Sequence, residues 1–364
     1  MVKLGDVINV HYGKALKADQ RVSNGSVHVF GSSGIVGNHD KTLCSYPTII
    51  IGRKGSVGAI TWAPDGGWII DTAYYVETKD NNKLDLRYLF YILSGIDLTK
   101  KTITTSIPGL NRDDLYDTFI KLPPFEEQKR IVDLLDKAEG IRQKREQAIK
   151  LADDFLRAKF LEMFGTPANN IHRFPKGTIR DLVDSVNYGT SAKASIDSGE
   201  YPILRMGNIT YQGRWDFTDL KYLDLSVKEK DKYLVKEGDL LFNRTNSKEL
   251  VGKTAVYEED RPMAFAGYLI RVRPNSIGNN YYISGYLNSI HGKITLMNMC
   301  KSIVGMANIN AQELQNIEIL IPPKHLQDEY EIIYKKIKKG LSIYDKSAMQ
   351  LQLLASNLSN KYFM

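Results

Sequence analysis

Residues 122–165 read LPPFEEQKRIVDLLDKAEGIRQKREQAIKLADDFLRAKFLEMFG, and residues 321–337 read IPPKHLQDEYEIIYKKI. Proline restricts the residue before it and suits the first turn of a helix, so each Pro-Pro pair is predicted to open one. Behind the pairs the apolar period is near 3.5. Ile131, Ala138, Arg145, Ala152 and Lys159 fall seven apart, with Leu134, Leu135, Ile141, Ala148, Ile149, Phe155, Leu156 and Met163 between them. In the second copy Tyr330, Ile337, Tyr344, Leu351 and Leu358 fall seven apart, and Ile333, Leu341, Ala348 and Leu354 fill the other seam position. Each reads as about five heptads, a helix roughly 50–60 Å long at 1.5 Å per residue. Gly140 and Gly340 each cost such a helix up to about 1 kcal/mol. Arg145 and Lys159 weaken the first seam further. Each helix therefore needs a partner, either its own lobe or the other helix. The heptads run further than one lobe would cover, which favours an antiparallel pair.

The rest of the chain is also written twice. Leu4-Gly-Asp-Val-Ile8 resembles Ile179-Arg-Asp-Leu-Val183, and Val10-His-Tyr-Gly13 resembles Val186-Asn-Tyr-Gly189. Thr48-Ile-Ile-Ile-Gly-Arg53 resembles Asp239-Leu-Leu-Phe-Asn-Arg244, and a Val-Gly pair follows each, at Val57-Gly58 and Val251-Gly252. Ser106-Ile-Pro-Gly109 matches Ser302-Ile-Val-Gly305, and the Pro-Pro pairs complete the series. The order holds while the offset drifts from 175 to 199, as loop insertions would produce. Within each half, short β-branched and aromatic runs (Tyr46–Ile51, Trp68–Val76, Leu240–Phe242, Tyr268–Val272) alternate with Gly, Asn and Asp turns. The expected fold class is α+β: two mixed α/β lobes separated by two long helices in an antiparallel coiled coil, with an internal pseudo-two-fold repeat. The boundaries are 1–123 for the first lobe, 124–165 for the first helix, 166–322 for the second lobe and 323–364 for the second helix.

Composition agrees with a folded multidomain chain. Its 364 residues are 43% hydrophobic and 25% charged, which excludes disorder and collagen-like structure. No stretch approaches the roughly 20 apolar residues of a membrane helix, and the start, MVKLGDVINVHYGK, lacks the apolar run of a signal peptide. Cys44 and Cys300, far apart, fit a reducing cytoplasm. The net charge of +7 is spread along the chain, so any nucleic-acid contact is expected from local patches rather than a tail.

Catalytic patterns fail one by one. The six histidines show no metal-binding spacing, and two lone cysteines cannot make a zinc site. Gly252-Lys-Thr254 ends like a phosphate-binding loop, but Ser247 stands where its first glycine belongs. Leu122-Pro-Pro-Phe125 lacks the Asp or Asn that an amino-methyltransferase needs to hold its target amine. No catalytic, metal or cofactor residue is expected in this chain.

Binding residues are sought in glycine-flanked loops that follow apolar strands. Gly52-Arg-Lys-Gly-Ser-Val-Gly58 and Asn243-Arg-Thr-Asn-Ser-Lys-Glu-Leu-Val-Gly252 are such loops. Arginine offers a fork for guanine edges or phosphate, asparagine pairs with adenine, and lysine serves phosphate. Arg53 and Arg244, at equivalent places in the repeat, are the first candidates for DNA contact, with loop bracing by a salt bridge as the alternative. Lys54, Thr245, Asn246 and Lys253 follow. Lys14, Arg205 and Asn208 lie near other glycines, where a turn-forming role competes. Trp62, Trp68 and Trp215 read as core or strand-face residues.

The segment 122–165 resembles the central conserved region of specificity (S) subunits of type I restriction–modification enzymes, and Gly238-Asp-Leu-Leu-Phe-Asn-Arg244 through Tyr257 resembles a recurrent segment of their target-recognition domains. The second helix keeps Pro322, Pro323 and Gln327, facing Gln128, but loses most of the EEQKRI charge pattern. The resemblance implies a non-catalytic subunit whose two target-recognition lobes read the halves of a bipartite, asymmetric double-stranded DNA site. It implies that the helix pair sets the spacer and docks two modification (methyltransferase) subunits and restriction (motor-nuclease) subunits. S-adenosylmethionine, ATP and magnesium would belong to those partners.

Overall fold

The computed structural model describes residues 1–103, 109–300 and 306–341. The chain divides into two compact units, built on Met1–Lys144 and on Arg145–Tyr344.

In the first unit, four antiparallel strands stand in the order Ile8–Tyr12, Ala73–Thr78, Thr48–Gly52, Ile60–Ala63. Thr48–Gly52 is buried along its whole length, as an unbroken β-branched run should be at a sheet centre. A second sheet pairs Val27–Gly31 antiparallel with Gly34–His39 and parallel with Trp68–Ile69. The run Trp68–Val76, expected as one strand, is therefore two, and they belong to different sheets. The cause is a close approach. A Cβ on Gly13 would lie 2.1 Å from the Ile70 carbonyl oxygen and 2.6 Å from that of Ile69, so the chain turns against a bare backbone there.

The second unit repeats this plan. Val183–Tyr188, Leu269–Pro274, Leu240–Asn243 and Thr254–Val256 form the antiparallel four. Tyr201–Leu204 pairs antiparallel with Lys221–Leu223 and parallel with Ala264–Phe265. Gly189 repeats the close approach, with a Cβ there falling 2.3 Å from the Phe265 carbonyl oxygen. In each unit a short strand pair joins the start to the end of the lobe: Val2–Lys3 with Phe119–Ile120, and Lys176–Thr178 with Glu318–Leu320. The internal repeat of the sequence is a repeat of topology.

Each lobe is fastened to the helix that follows it by the same parts. Asp85 and Asn279 cap the helices Leu86–Gly95 and Asn280–Asn288 by accepting from the backbone N–H groups of Tyr88 and Tyr281. One turn on, the buried Tyr88 and Tyr282 hydroxyls donate to the carbonyls of Lys121 and Leu320. Gln128 and Gln327, both 0% exposed, sit one turn behind the Pro-Pro pairs. Gln128 Nε2 donates to the carbonyls of Lys83 (2.8 Å) and Pro123 (2.9 Å). Gln327 Nε2 donates to those of Ile277 (3.0 Å) and Pro322 (2.8 Å).

The first long helix spans Phe125–Phe164. Ile131, Val132 and Leu135 join the core of the first unit with Leu84, Tyr88 and Leu89. Phe160 and Phe164 join the core of the second, where their rings lie 5.6 and 4.7 Å from Tyr282. A second helix covers residues 324–341. Within the second unit the two helices meet and run oppositely: Phe160 packs its ring 5.3 Å from Tyr330, while Asp153 and Leu156 share a cavity with Lys338 and Leu341. The remaining expected seam residues, Tyr344, Ala348, Leu351, Leu354 and Leu358, lie outside the described residues.

Candidate nucleic-acid interface

In the first unit, the strands Ile8–Tyr12 and Thr48–Gly52 end at the same edge of the four-stranded sheet. Arg53 leaves that edge. Its backbone N–H and that of Lys54 both donate to the Thr72 carbonyl, at 2.9 and 3.1 Å. Its Nη1 donates to the Asp71 carbonyl at 3.1 Å, and its guanidinium carbon lies over the Tyr12 ring, 5.1 Å from the centroid. The loop then turns through Gly55 and Gly58, both at positive φ. A Cβ at Gly52 would fall 2.0 Å from the Ser56 carbonyl oxygen, so the loop folds tightly back onto the strand end. Lys54 is exposed beside it, as is Lys14, whose carbonyl accepts from the Trp68 indole at 3.0 Å.

The second unit builds the same arrangement. The Arg244 N–H donates to the Tyr268 carbonyl at 3.0 Å, its Nη1 approaches the Gly267 carbonyl at 3.5 Å, and its guanidinium lies over the Tyr188 ring at 4.9 Å. Tyr12 and Tyr188 are the equivalent tyrosines of the repeat. Neither arginine is held by a salt bridge; each uses one nitrogen on a backbone carbonyl and rests on a tyrosine face. Bracing and presentation are thus combined; the Arg53 side chain also bonds the Tyr74 hydroxyl, and the Nε of Arg244 is buried.

The weaker candidates divide. Thr245, 8% exposed, and Asn246 form a two-residue strand with Ala307–Asn308, and the Asn246 side chain accepts from the Ser247 N–H. Lys253 lies beside the same strand end, its carbonyl accepting from the Asn243 N–H at 2.9 Å, but its side chain is buried. Arg205 pairs with the Asp219 carboxylate at 2.8 Å and also donates to the Asp219 carbonyl. Asn208, 3% exposed, accepts from the Arg205 N–H and donates to the carbonyls of Asp216 and Asp219. These two residues spend their polar groups holding the loop between them.

Sequence reasoning missed Arg112. Its guanidinium carbon lies 5.3 Å from the Tyr12 centroid, so Tyr12 carries two arginines, and its Nε is buried without a partner. It stands at the first position of the helix Arg112–Tyr116, capped by Asn111. The only available signal was its place in the repeat. The matching helix, Ala311–Gln315, puts Ala311 there, and the Ala311 N–H donates to the Tyr188 hydroxyl at 2.9 Å. The two lobes therefore share one arginine–tyrosine unit and differ in the residue that flanks it.

Among the described residues no group of three or more His, Cys, Asp or Glu side chains is placed to hold a metal ion, and no helix is long and apolar enough to cross a membrane.

Comparison with known proteins gives the family and the fold. The family described as the type I restriction modification DNA specificity domain matches residues 1–151 and 174–355. A putative type I restriction enzyme MjaX specificity subunit from Methanocaldococcus jannaschii is 32% identical over 171 residues, 46% of this chain and 38% of that protein. The EcoKI specificity subunit of Escherichia coli K12 is 24% identical over 256 residues, 66% of this chain and 54% of that protein. The matched part of the chain thus spans between about two fifths and a little over half the length of these relatives. Among solved structures, the S subunit of the type I restriction–modification system from M. genitalium superposes with a TM-score of 0.71 at 15% identity, covering 100% of this chain and 95% of that one.

Proposed function

Because the chain belongs to the type I restriction modification DNA specificity domain family, we propose that it is the DNA-reading subunit of a type I restriction–modification complex, each lobe reading one half of a bipartite, asymmetric site. The observation that carries this reading is the duplicated arginine: Arg53 over Tyr12 and Arg244 over Tyr188, each pinned to one carbonyl at the same sheet edge. A guanidinium oriented by an aromatic face and one backbone bond is pre-organised, so little side-chain freedom is lost when it meets guanine O6 and N7 in the major groove. Lys54 and Lys14, exposed alongside, suit phosphate contacts that position the lobe without reading sequence.

In this proposal the target-recognition lobes are 1–123 and 166–322, and the helices 124–165 and 323–364 set the spacer between half-sites. The helices dock two methyltransferase subunits, and restriction subunits join that core. The chain itself is non-catalytic, and its partners supply the S-adenosylmethionine, ATP and magnesium chemistry. Arg112 at Tyr12 against Ala311 at Tyr188 favours unlike half-sites.

The test is a map of methylated adenines in DNA from cells making this chain with its methyltransferase partner, and from cells lacking the chain. Methylation at one split motif that vanishes without the chain is the expected result. A methylation pattern indifferent to the chain would remove the recognition role.

A further inference from the structure

Past each arginine the two lobes run in the same register. The Arg53 carbonyl accepts from the Leu110 N–H at 3.0 Å, and the Arg244 carbonyl accepts from the Ile309 N–H at 2.9 Å. The residues that follow the arginines face antiparallel partners, Lys54 opposite Gly109 and Thr245 opposite Asn308. Gly109 and Asn308 are therefore equivalent positions in the repeat. Two residues beyond Ile309, the Ala311 N–H donates to the Tyr188 hydroxyl at 2.9 Å. Asn308 thus stands on a segment tied to both members of the arginine–tyrosine unit.

The fold alone does not account for the side chain at this position. Asn308 is exposed between buried Ala307 and Ile309, so it points away from the core. Asparagine is a poor strand former. The nearby helix Ala311–Gln315 is capped by Asn310, which accepts from the Glu313 N–H, and not by Asn308. The Asn308 Oδ1 lies 3.5 Å from the Thr245 hydroxyl, while its amide nitrogen has no partner among the described residues. Asn246, on the facing strand, has instead turned its own Oδ1 to the Ser247 N–H. Nor does packing impose the difference between the lobes, since a Cβ at Gly109 would meet nothing nearer than the Arg53 carbonyl oxygen at 3.7 Å.

We propose that Asn308 reads an adenine in the half-site of the second lobe, beside the base pair that Arg244 reads. An asparagine amide matches adenine in the major groove, with Nδ2 donating to N7 and Oδ1 accepting from the N6 amino group. The Thr245 hydroxyl takes up one lone pair of Oδ1 and orients the amide, which leaves the second lone pair and the nitrogen for the base. Gly109 carries no such group, so the first lobe has no adenine reader at the matching place. This assignment rests on the proposed recognition role and names one base that the second lobe reads.

The test uses the complex of the full chain with its methyltransferase partner, titrated with duplexes in which each base pair of the mapped split motif is replaced in turn. In the wild type, replacing one A·T pair in the half-site that Arg244 serves should weaken binding about 5- to 150-fold. In Asn308→Ala that ratio should fall to near one, while the ratios at all other positions stay at their wild-type values. Aspartate accepts from the cytosine amino group instead, so Asn308→Asp should move the preference at the same position from adenine to cytosine. Asn308→Asp also keeps the shape of the side chain, and it decides the assignment if Asn308→Ala does not fold. Wild-type ratios throughout in Asn308→Ala, an unmoved preference in Asn308→Asp, or a loss in the first half-site would overturn the adenine assignment alone. A wild-type complex that binds every duplex equally would sink the recognition role, and this assignment with it.

Discussion

Tyr12 and Tyr188 do at residue scale what an unsupported arginine loop cannot, because each gives a guanidinium a fixed plane on which to rest. Arg53→Ala and Arg244→Ala should each weaken recognition of one half-site by about 1–3 kcal/mol and leave the melting temperature near that of the wild type. Arg112→Ala should weaken only the half-site read by the first lobe. Binding titrations with each half-site altered in turn measure all three, and equal losses on both halves would contradict the assignment. Lys293, on the helix Ile290–Met299, gives a pH dependence with a definite sign, because its Nζ is buried without a hydrogen-bond partner. Its ammonium titrates at about 8 in the folded chain against 10.5 ordinarily, so between those values the unfolded chain holds more protons. Stability should therefore rise from about pH 8 toward 10 in the wild type relative to K293M, and the wild type should be at its relative disadvantage below 8. Chemical denaturation in chloride across that range checks it; a difference that stays flat with pH would show that Lys293 is not buried and unpaired.

At the scale of elements, the Pro-Pro pairs and the glutamines behind them fix where each helix leaves its lobe. Gln128→Ala and Gln327→Ala should each cost about 1–3 kcal/mol, because each strands two inward carbonyls, and should lower the denaturation midpoint without changing m. Asp239, buried between Arg273 at 2.8 Å and Arg271 at 3.9 Å, is a stricter case. Asp239→Ala leaves Arg271 buried and unpaired, and a loss of about 3–5 kcal/mol is expected in the same assay. The helices, their starts and the duplicated strands were legible because proline, heptad spacing and β-branched runs act locally. The split of Trp68–Val76 was not, since it depends on Gly13 packing against the Ile69 and Ile70 carbonyls from more than fifty residues away. Phe160 and Phe164 drew no reading of their own within the heptads, yet they are lobe core, because only the fold brings Tyr282 beside them. Arg53 and Arg244 were legible from the repeat. Arg112 was hidden by an ordinary helix start, and the buried state of Lys253 and Asn208 cannot be read from polar residues in a loop.

For the whole molecule, two copies of one topology carry two versions of one edge. Duplication explains why strand order, capping residues, buried tyrosines and glutamines agree between the units while the residues beside the shared arginine do not. The proposed reading of two unlike half-sites would use that combination: a constant frame to place each arginine, and a variable flank to change what is read with it. The central claim is best tested by mapping methylated adenines in cells carrying the chain as wild type, as Arg53→Ala and as Arg244→Ala, each with its methyltransferase partner. The account predicts that the two variants relax sequence preference in opposite halves of the same split motif and leave its spacing intact. Identical motifs from all three chains, or relaxation of the same half by both variants, would contradict it.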